Sequence, residues 1–223
     1  MLSFLRMKES RRKMADLELM AMQKRIAGAA RRLDRGTSLV FQNAARYVSD
    51  TCCIVAVDPG ASTGWCVVES GLQSRPSEWW SGQDPGRTAA RHITDIVLGN
   101  PIGLLVIEEP FFVGTGNQWK LAWSGGEMFG RLADSLVDEA AAWRVKPVSW
   151  RSVLGLNVKG GRQIVNDACH THAESTLGKP LRTSSGALEY DRASAVCMAL
   201  AACALLEQLS ATAASAANNK GSP

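Results

Sequence analysis

Hydrophobic and polar positions divide the chain into a loosely patterned first quarter and a sharply patterned remainder. From Cys52 the chain runs CCIVAV, continuously apolar, and stops at Asp58-Pro59-Gly60. A short apolar run closed by a turn signal predicts a buried strand. Gly64-Trp-Cys-Val-Val68 follows closely enough to be its hairpin partner, and Trp79-Trp80 marks a third strand. Between Thr88 and Leu98, Ala89, Ile93, Ile96 and Val97 recur at helical spacing. Ile102–Ile107 is a second continuous apolar run and ends at Glu108-Glu109-Pro110. Met128, Phe129, Leu132, Leu136 and Ala140 share one face of a single long helix predicted over Trp119–Ala142. A short strand is predicted over Val145–Val148, then helices over Arg162–Leu177 and Leu188–Leu209. Three strands followed by alternating helices and strands give a mixed α/β layer fold whose sheet begins antiparallel.

Before Ser49 the pattern is weaker. Met7, Met14, Leu17, Ile26 and Leu33 form a ragged apolar stripe along one or two helices. The 223 residues include 25 basic and 21 acidic side chains, and the excess is concentrated at this end, with 11 basic and 5 acidic residues in 1–50. Attraction to polyanions is therefore expected chiefly from residues 1–48, a solvated basic helical extension. Residues 49–209 form the folded domain, and 210–223 (SATAASAANNKGSP) have little to bury and are expected to be disordered. Because the first core strand begins near Cys52, removal of residues 1–48 is expected to leave the fold intact.

Composition narrows the class. With 46% apolar and 21% charged residues, the chain is neither wholly disordered nor collagen-like. The longest nearly apolar run, the 14 residues Ala193–Leu206, falls short of the roughly 20 needed to span a bilayer. The opening MLSFLRMKESRRK lacks the apolar stretch of a signal peptide. Six cysteines without a C-x-x-C pair read as reduced thiols, and the expected location is cytoplasmic.

The chemistry-bearing residues are carboxylates. Asp58 and Glu108 each end an apolar run, so two parallel neighbouring strands would project both from one end of the sheet. Asp191 opens the last helix. Each has a plain structural reading: acids end strands to accept turn N–H groups, and they favour helix N-termini. Three converging carboxylates without a histidine or cysteine cluster suit Mg²⁺ or Mn²⁺ better than zinc. Such sites hydrolyse phosphodiesters, often with two metals about 3.5–4 Å apart. Cys169-His170-Thr171-His172 would scatter its ligands over different faces of a helix and is a poor metal site.

The motifs, in order, resemble the RuvC-type Holliday-junction resolvases, particularly phage-type members. Ile54-Val-Ala-Val-Asp58-Pro-Gly60-Ala-Ser-Thr-Gly64-Trp is similar to their first strand and turn, and Val106-Ile-Glu108-Glu-Pro-Phe111 to their second acidic strand. Trp150-Arg-Ser-Val-Leu-Gly155 with Lys159 resembles the intervening segment, and Asp191-Arg-Ala-Ser194-Ala-Val-Cys-Met-Ala-Leu200 the closing acidic helix. The resemblance covers about residues 52–206. It implies a ribonuclease H-like fold, a homodimer, and metal-dependent paired nicking of four-way DNA junctions with two Mg²⁺ or Mn²⁺ per site. By position it implies metal ligation and catalysis by Asp58, Glu108 and Asp191, base packing by Phe111, and DNA contacts by Arg151, Lys159 and Arg162. Symmetric nicking suits a two-fold dimer, expected to join through the glycine-bearing helix of Gly125, Gly126 and Gly130.

Ser194 departs from the pattern. The family carries a fourth acid there, one turn after Asp191 on the same helix face. A hydroxyl in its place points to a weaker metal position, with Glu189 as a substitute only if the helix begins after it. Two other readings remain open: a junction-binding protein with weakened catalysis, and an actin- or sugar-kinase-like ATPase, whose phosphate hairpin Asp58–Gly64 also resembles.

Overall fold

Strand β1 (Cys53–Asp58) is buried on both faces, and that places it at the centre of a five-stranded sheet ordered β3-β2-β1-β4-β5. The computed structural model describes residues 2–47, 52–60, 62–69, 79–98, 100–109, 118–138, 141–156 and 159–219. On one side β1 pairs antiparallel with β2 (Thr63–Glu69), which pairs antiparallel with β3 (Trp79–Asp84). On the other side β1 pairs parallel with β4 (Ile102–Glu108), and β4 parallel with β5 (Ala142–Val145). An antiparallel β1–β3 meander extended by parallel β4 and β5 is a mixed sheet that begins antiparallel, as the order of apolar runs predicts.

Period-two alternation divides the core into two layers. Ile54, Ala56, Leu104 and Val106 pack against α5 (Pro147–Leu154), α6 (Arg162–Leu177) and α7 (Tyr190–Asn219). Val55, Val57, Leu105 and Ile107 pack beneath α3 (Gly86–Ile96) and α4 (Gln118–Leu132).

Three element boundaries differ from the sequence reading. Helix α4 stops at Leu132 instead of continuing to Ala142, and one 3₁₀ turn, Ala133–Ser135, follows it. Leu136 bridges to Ile102, and the Val137 N–H donates to the Ile102 carbonyl at 3.0 Å. The apolar periodicity thus runs on into sheet pairing, where Leu136 still packs against the core. Strand β5 occupies Ala142–Val145, with Trp143 and Val145 buried, and not Val145–Val148. Pro147 opens α5 at its first turn, where its missing N–H costs nothing, and Val148 is left 61% exposed. Helix α7 continues to Asn219 because its end is rich in alanine, the strongest helix former. The stretch expected to be disordered from 210 is therefore helical as far as Asn219. By length and composition Tyr190–Thr212 could also cross a membrane, but half of its most apolar stretch is buried inside the protein.

The amino-terminal extension is helical, as α1 (Leu2–Arg31) and α2 (Arg35–Tyr47). It is not a detached arm. Asp34 caps α2, accepting from the Thr37 N–H at 2.8 Å and the Thr37 hydroxyl at 3.0 Å. Phe41 and Ala44 are fully buried, and the Phe41 ring meets Trp143 of β5 edge-on at 4.9 Å. Ile26 and Ala29 of α1 join the same core layer. The Arg25 guanidinium lies against Gly155, whose φ of 74° ends α5 in the left-handed region. A cut at residue 48 thus falls within one packed core, which corrects the expectation that residues 1–48 are dispensable for folding. Phe41→Ala is expected to lower the unfolding free energy by about 3–5 kcal/mol, the range for a fully buried phenylalanine, as read by urea denaturation. A loss below about 1 kcal/mol would restore a separable extension.

Candidate active site

Parallel pairing of β1 and β4 aligns Ala56 with Val106 and Val57 with Ile107, so the next positions, Asp58 and Glu108, end neighbouring strands at the same sheet edge. Strands lie about 4.8 Å apart, which sets two carboxylates side by side. Their parity matches Ile54, Ala56, Leu104 and Val106, so both face the layer that contains α7.

Helix α7 brings Asp191 in its first turn and Ser194 one turn later. The seating of that turn depends on Gly64 of β2. A Cβ at Gly64 would collide with the Asp191 carbonyl and lie 2.6 Å from the Arg192 nitrogen, so helix and strand meet backbone to backbone. The Arg192 N–H donates to Gln83 Oε1 at 3.2 Å, and the Arg192 Nε to Ser81 Oγ at 3.0 Å. Arg192 also pairs with Glu189 at 2.7 Å. Glu189 is therefore engaged in holding the helix start and does not substitute for the acid missing at 194.

Asp58, Glu108, Asp191 and Ser194 line one cavity of about 860 Å³, together with Arg151 and Arg162. Burial pushes Asp58 well above the ordinary carboxylate range, and the charges of Glu108 and Asp191 add to the rise. A hydrogen bond from Ser194 and the Arg151 charge oppose it. Burial also raises Glu108, against a hydrogen bond from Trp150 and the charge of Arg151. Asp191 is raised by burial and drawn back by Arg162.

Of the residues predicted for DNA contact, Arg162 is an exposed residue of this wall, and Lys159 is exposed outside it. Arg151 is half-buried over the Trp150 ring, 4.9 Å from its centroid, and its buried Nε has no hydrogen-bond partner among the described residues. It belongs to the carboxylate pocket more than to an outer DNA surface. Phe111 lies outside the described residues. Among the described residues, no three acidic, histidine or cysteine side chains are grouped tightly enough to form a ready-made metal cage.

Sequence reasoning assigned no role to Trp150. Its ring is fully buried and its Nε1–H donates to Glu108 Oε2 at 2.8 Å, which fixes that carboxylate. The signal was a tryptophan in a polar stretch directly before Arg151. In the Cys169–His172 segment, His170 is buried and its Nε2 lies 2.8 Å from the Leu181 carbonyl, a structural contact.

No family model matches the chain, and no curated protein matches it. Solved structures do. Two structures of RuvC are among them. T. thermophilus RuvC in complex with a Holliday junction substrate is 16% identical, with a TM-score of 0.43 over 67% of this chain and 91% of that one. A second Thermus thermophilus RuvC structure is 19% identical, with a TM-score of 0.42 over 67% of this chain and 92% of that one.

The raised carboxyls carry a stability signature. A carboxyl with a raised folded pKa stays protonated in the folded state where the unfolded state has lost its proton. Its stabilising contribution is full below the unfolded value near 3.8 and is lost as pH rises toward the folded value. In metal-free buffer, Asp58→Asn is expected to melt several degrees above the wild-type protein at pH 7, since 1 kcal/mol moves a chain of this size by roughly 2–4 °C. The gain should fade near pH 4. A scanning-calorimetry series over pH checks this, and a lower melting temperature at pH 7 would contradict it.

Proposed function

We propose that the chain is a divalent-metal-dependent endonuclease that cuts four-way DNA junctions. One observation carries the reading: Asp58 and Glu108 end adjacent parallel strands, on the face where α7 brings Asp191 into the same cavity. Their oxygen-only donor set fits a hard cation, whose charge would take the place of the protons that burial and mutual repulsion favour on these carboxyls. Asp58, Glu108 and Asp191 would hold one or two Mg²⁺ or Mn²⁺, their side chains closing around the charge, with Ser194 as a neutral fourth group. Bound there, the cation supplies a lowered water pKa and charge neutralisation at the phosphate.

The protein's own part is positioning. Trp150 holds Glu108 in one orientation, and the Ser194 hydroxyl stands with Asp58 in the same cavity wall. Arg151 and Arg162 face the space where a phosphate would lie, and Lys159 stands just beyond it. The four-way substrate follows from the motif resemblance, and one of the similar solved structures is a RuvC with a Holliday junction bound. Paired nicking calls for a homodimer. The exposed side of α4 suits that contact: Trp123 is 77% exposed, and Gly126 and Gly130 face open space, whereas Gly125 packs on Pro59 of its own chain.

Two substitutions test the reading on one mobile synthetic junction. Asp58→Asn is expected to reduce Mg²⁺-dependent nicking by at least a thousandfold while junction binding persists. Ser194→Asp restores a charged ligand and is expected to lower the metal concentration for half-maximal cleavage severalfold, since affinity for hard cations rises with ligand charge. Near wild-type nicking by the Asp58→Asn protein would exclude this site as the catalytic centre. Junction binding without nicking in either Mg²⁺ or Mn²⁺ would favour a binding protein with weakened catalysis.

A further inference from the structure

The carboxylate cavity adjoins a second one of about 530 Å³, and Glu109, Lys146 and Val148 line both. The second cavity is walled by the α1–α2 junction (Arg32, Thr37), by Arg144 of β5 and by Ser149 and Ser152 of α5. Arg144 and Lys146 flank the buried Val145, so extended-chain alternation directs both to the same, exposed side. Arg32 is exposed as well. Among the described residues, these three cations make no hydrogen bond or ion pair. Of the two acids in the lining, Asp34 is occupied in capping α2, which holds its carboxyl below the usual range, and Glu109 sits where the cavities meet. The cavity therefore presents three cations against two acids, a net positive charge, together with hydroxyls, next to the centre read as cutting a phosphodiester.

We propose that this second cavity is a DNA-binding site that receives the sugar–phosphate backbone of a strand leaving the carboxylate pocket. Arg32, Arg144 and Lys146 neutralise its phosphates, and the Ser149 and Ser152 hydroxyls are placed to donate to them. The site depends on the amino-terminal helices, because the packing of Ile26, Ala29 and Phe41 sets Arg32 into the same wall as Arg144. A strand, not a free anion, is the occupant that continuity with the carboxylate cavity favours. The inference rests on the nuclease reading above.

Fluorescence anisotropy on a labelled four-way junction, in metal-free buffer across a salt series, tests the site. The Arg32→Ala/Arg144→Ala double variant is expected to bind at least tenfold more weakly. Its log–log salt slope should be shallower by about 2, close to 0.9 for each lost phosphate contact. Arg91→Ala/Lys179→Ala removes the same charge outside both cavities and is expected to retain wild-type slope. Arg32→Lys/Arg144→Lys should recover most of the slope, which a purely structural role of the two arginines would not produce. Wild-type affinity and slope in the alanine double variant, with the wild-type protein binding normally, would overturn this site and leave the nuclease reading intact. No junction binding by the wild-type protein would overturn both.

Discussion

The backbone-to-backbone contact between Gly64 and the first turn of α7 is the constraint on which the site depends. Asp58 and Glu108 are fixed by strand pairing alone, since parallel register leaves them no other edge to occupy. Asp191 has no such guarantee. It reaches the same cavity only because a strand without a side chain at position 64 lets the helix start rest on β2. Ser81 and Gln83, two apart on β3, then grip Arg192, and Arg192 grips Glu189. Polar residues on a partly buried strand, otherwise poor sheet material, are explained by that bracket.

Electrostatics runs against this assembly. Burial raises the proton affinity of all three carboxyls, Glu108 and Asp191 add to it at Asp58, and Asp191 adds to it at Glu108. The fold holds them in place through hydrophobic packing on both faces of β1 and β4. An electrostatically unfavourable arrangement that the surrounding core over-determines supports the metal-binding reading proposed above.

Strands β1 to β4 and α6 were legible because continuous apolar runs and turn signals are local. Asp58 and Glu108 were legible for the same reason, as polar residues that stop such runs. Helix α4 was read too long because Leu136 keeps helical spacing by accident and its real contact, Ile102, is 34 positions away in the chain. The extension was misjudged for a related reason. Phe41 and Ala44 look sparse among polar neighbours, and only the position of Trp143 reveals that they are covered. Trp150 could be quoted as part of a motif, but its hydrogen bond to Glu108 depends on α5 lying over the end of β4. Local pattern thus located the acids, whereas the groups that orient them required the tertiary arrangement.

Ser194 and Arg151 are best understood together. Ser194 draws down the proton affinity of Asp58, the carboxylate most strongly opposed by its neighbours, where a fourth acid would raise it. Arg151 acts in the same direction on both Asp58 and Glu108 from within the pocket, and its charge is held close by the Trp150 ring. The metal-free pocket is consequently less negative than one built from four carboxylates, and so easier to fold. The same reduction weakens its attraction for divalent cations, because ligand charge governs both quantities. On the proposed reading, residue 194 sets a balance between stability without metal and affinity for it, and Arg151 adds a fixed positive charge beside Asp58 and Glu108.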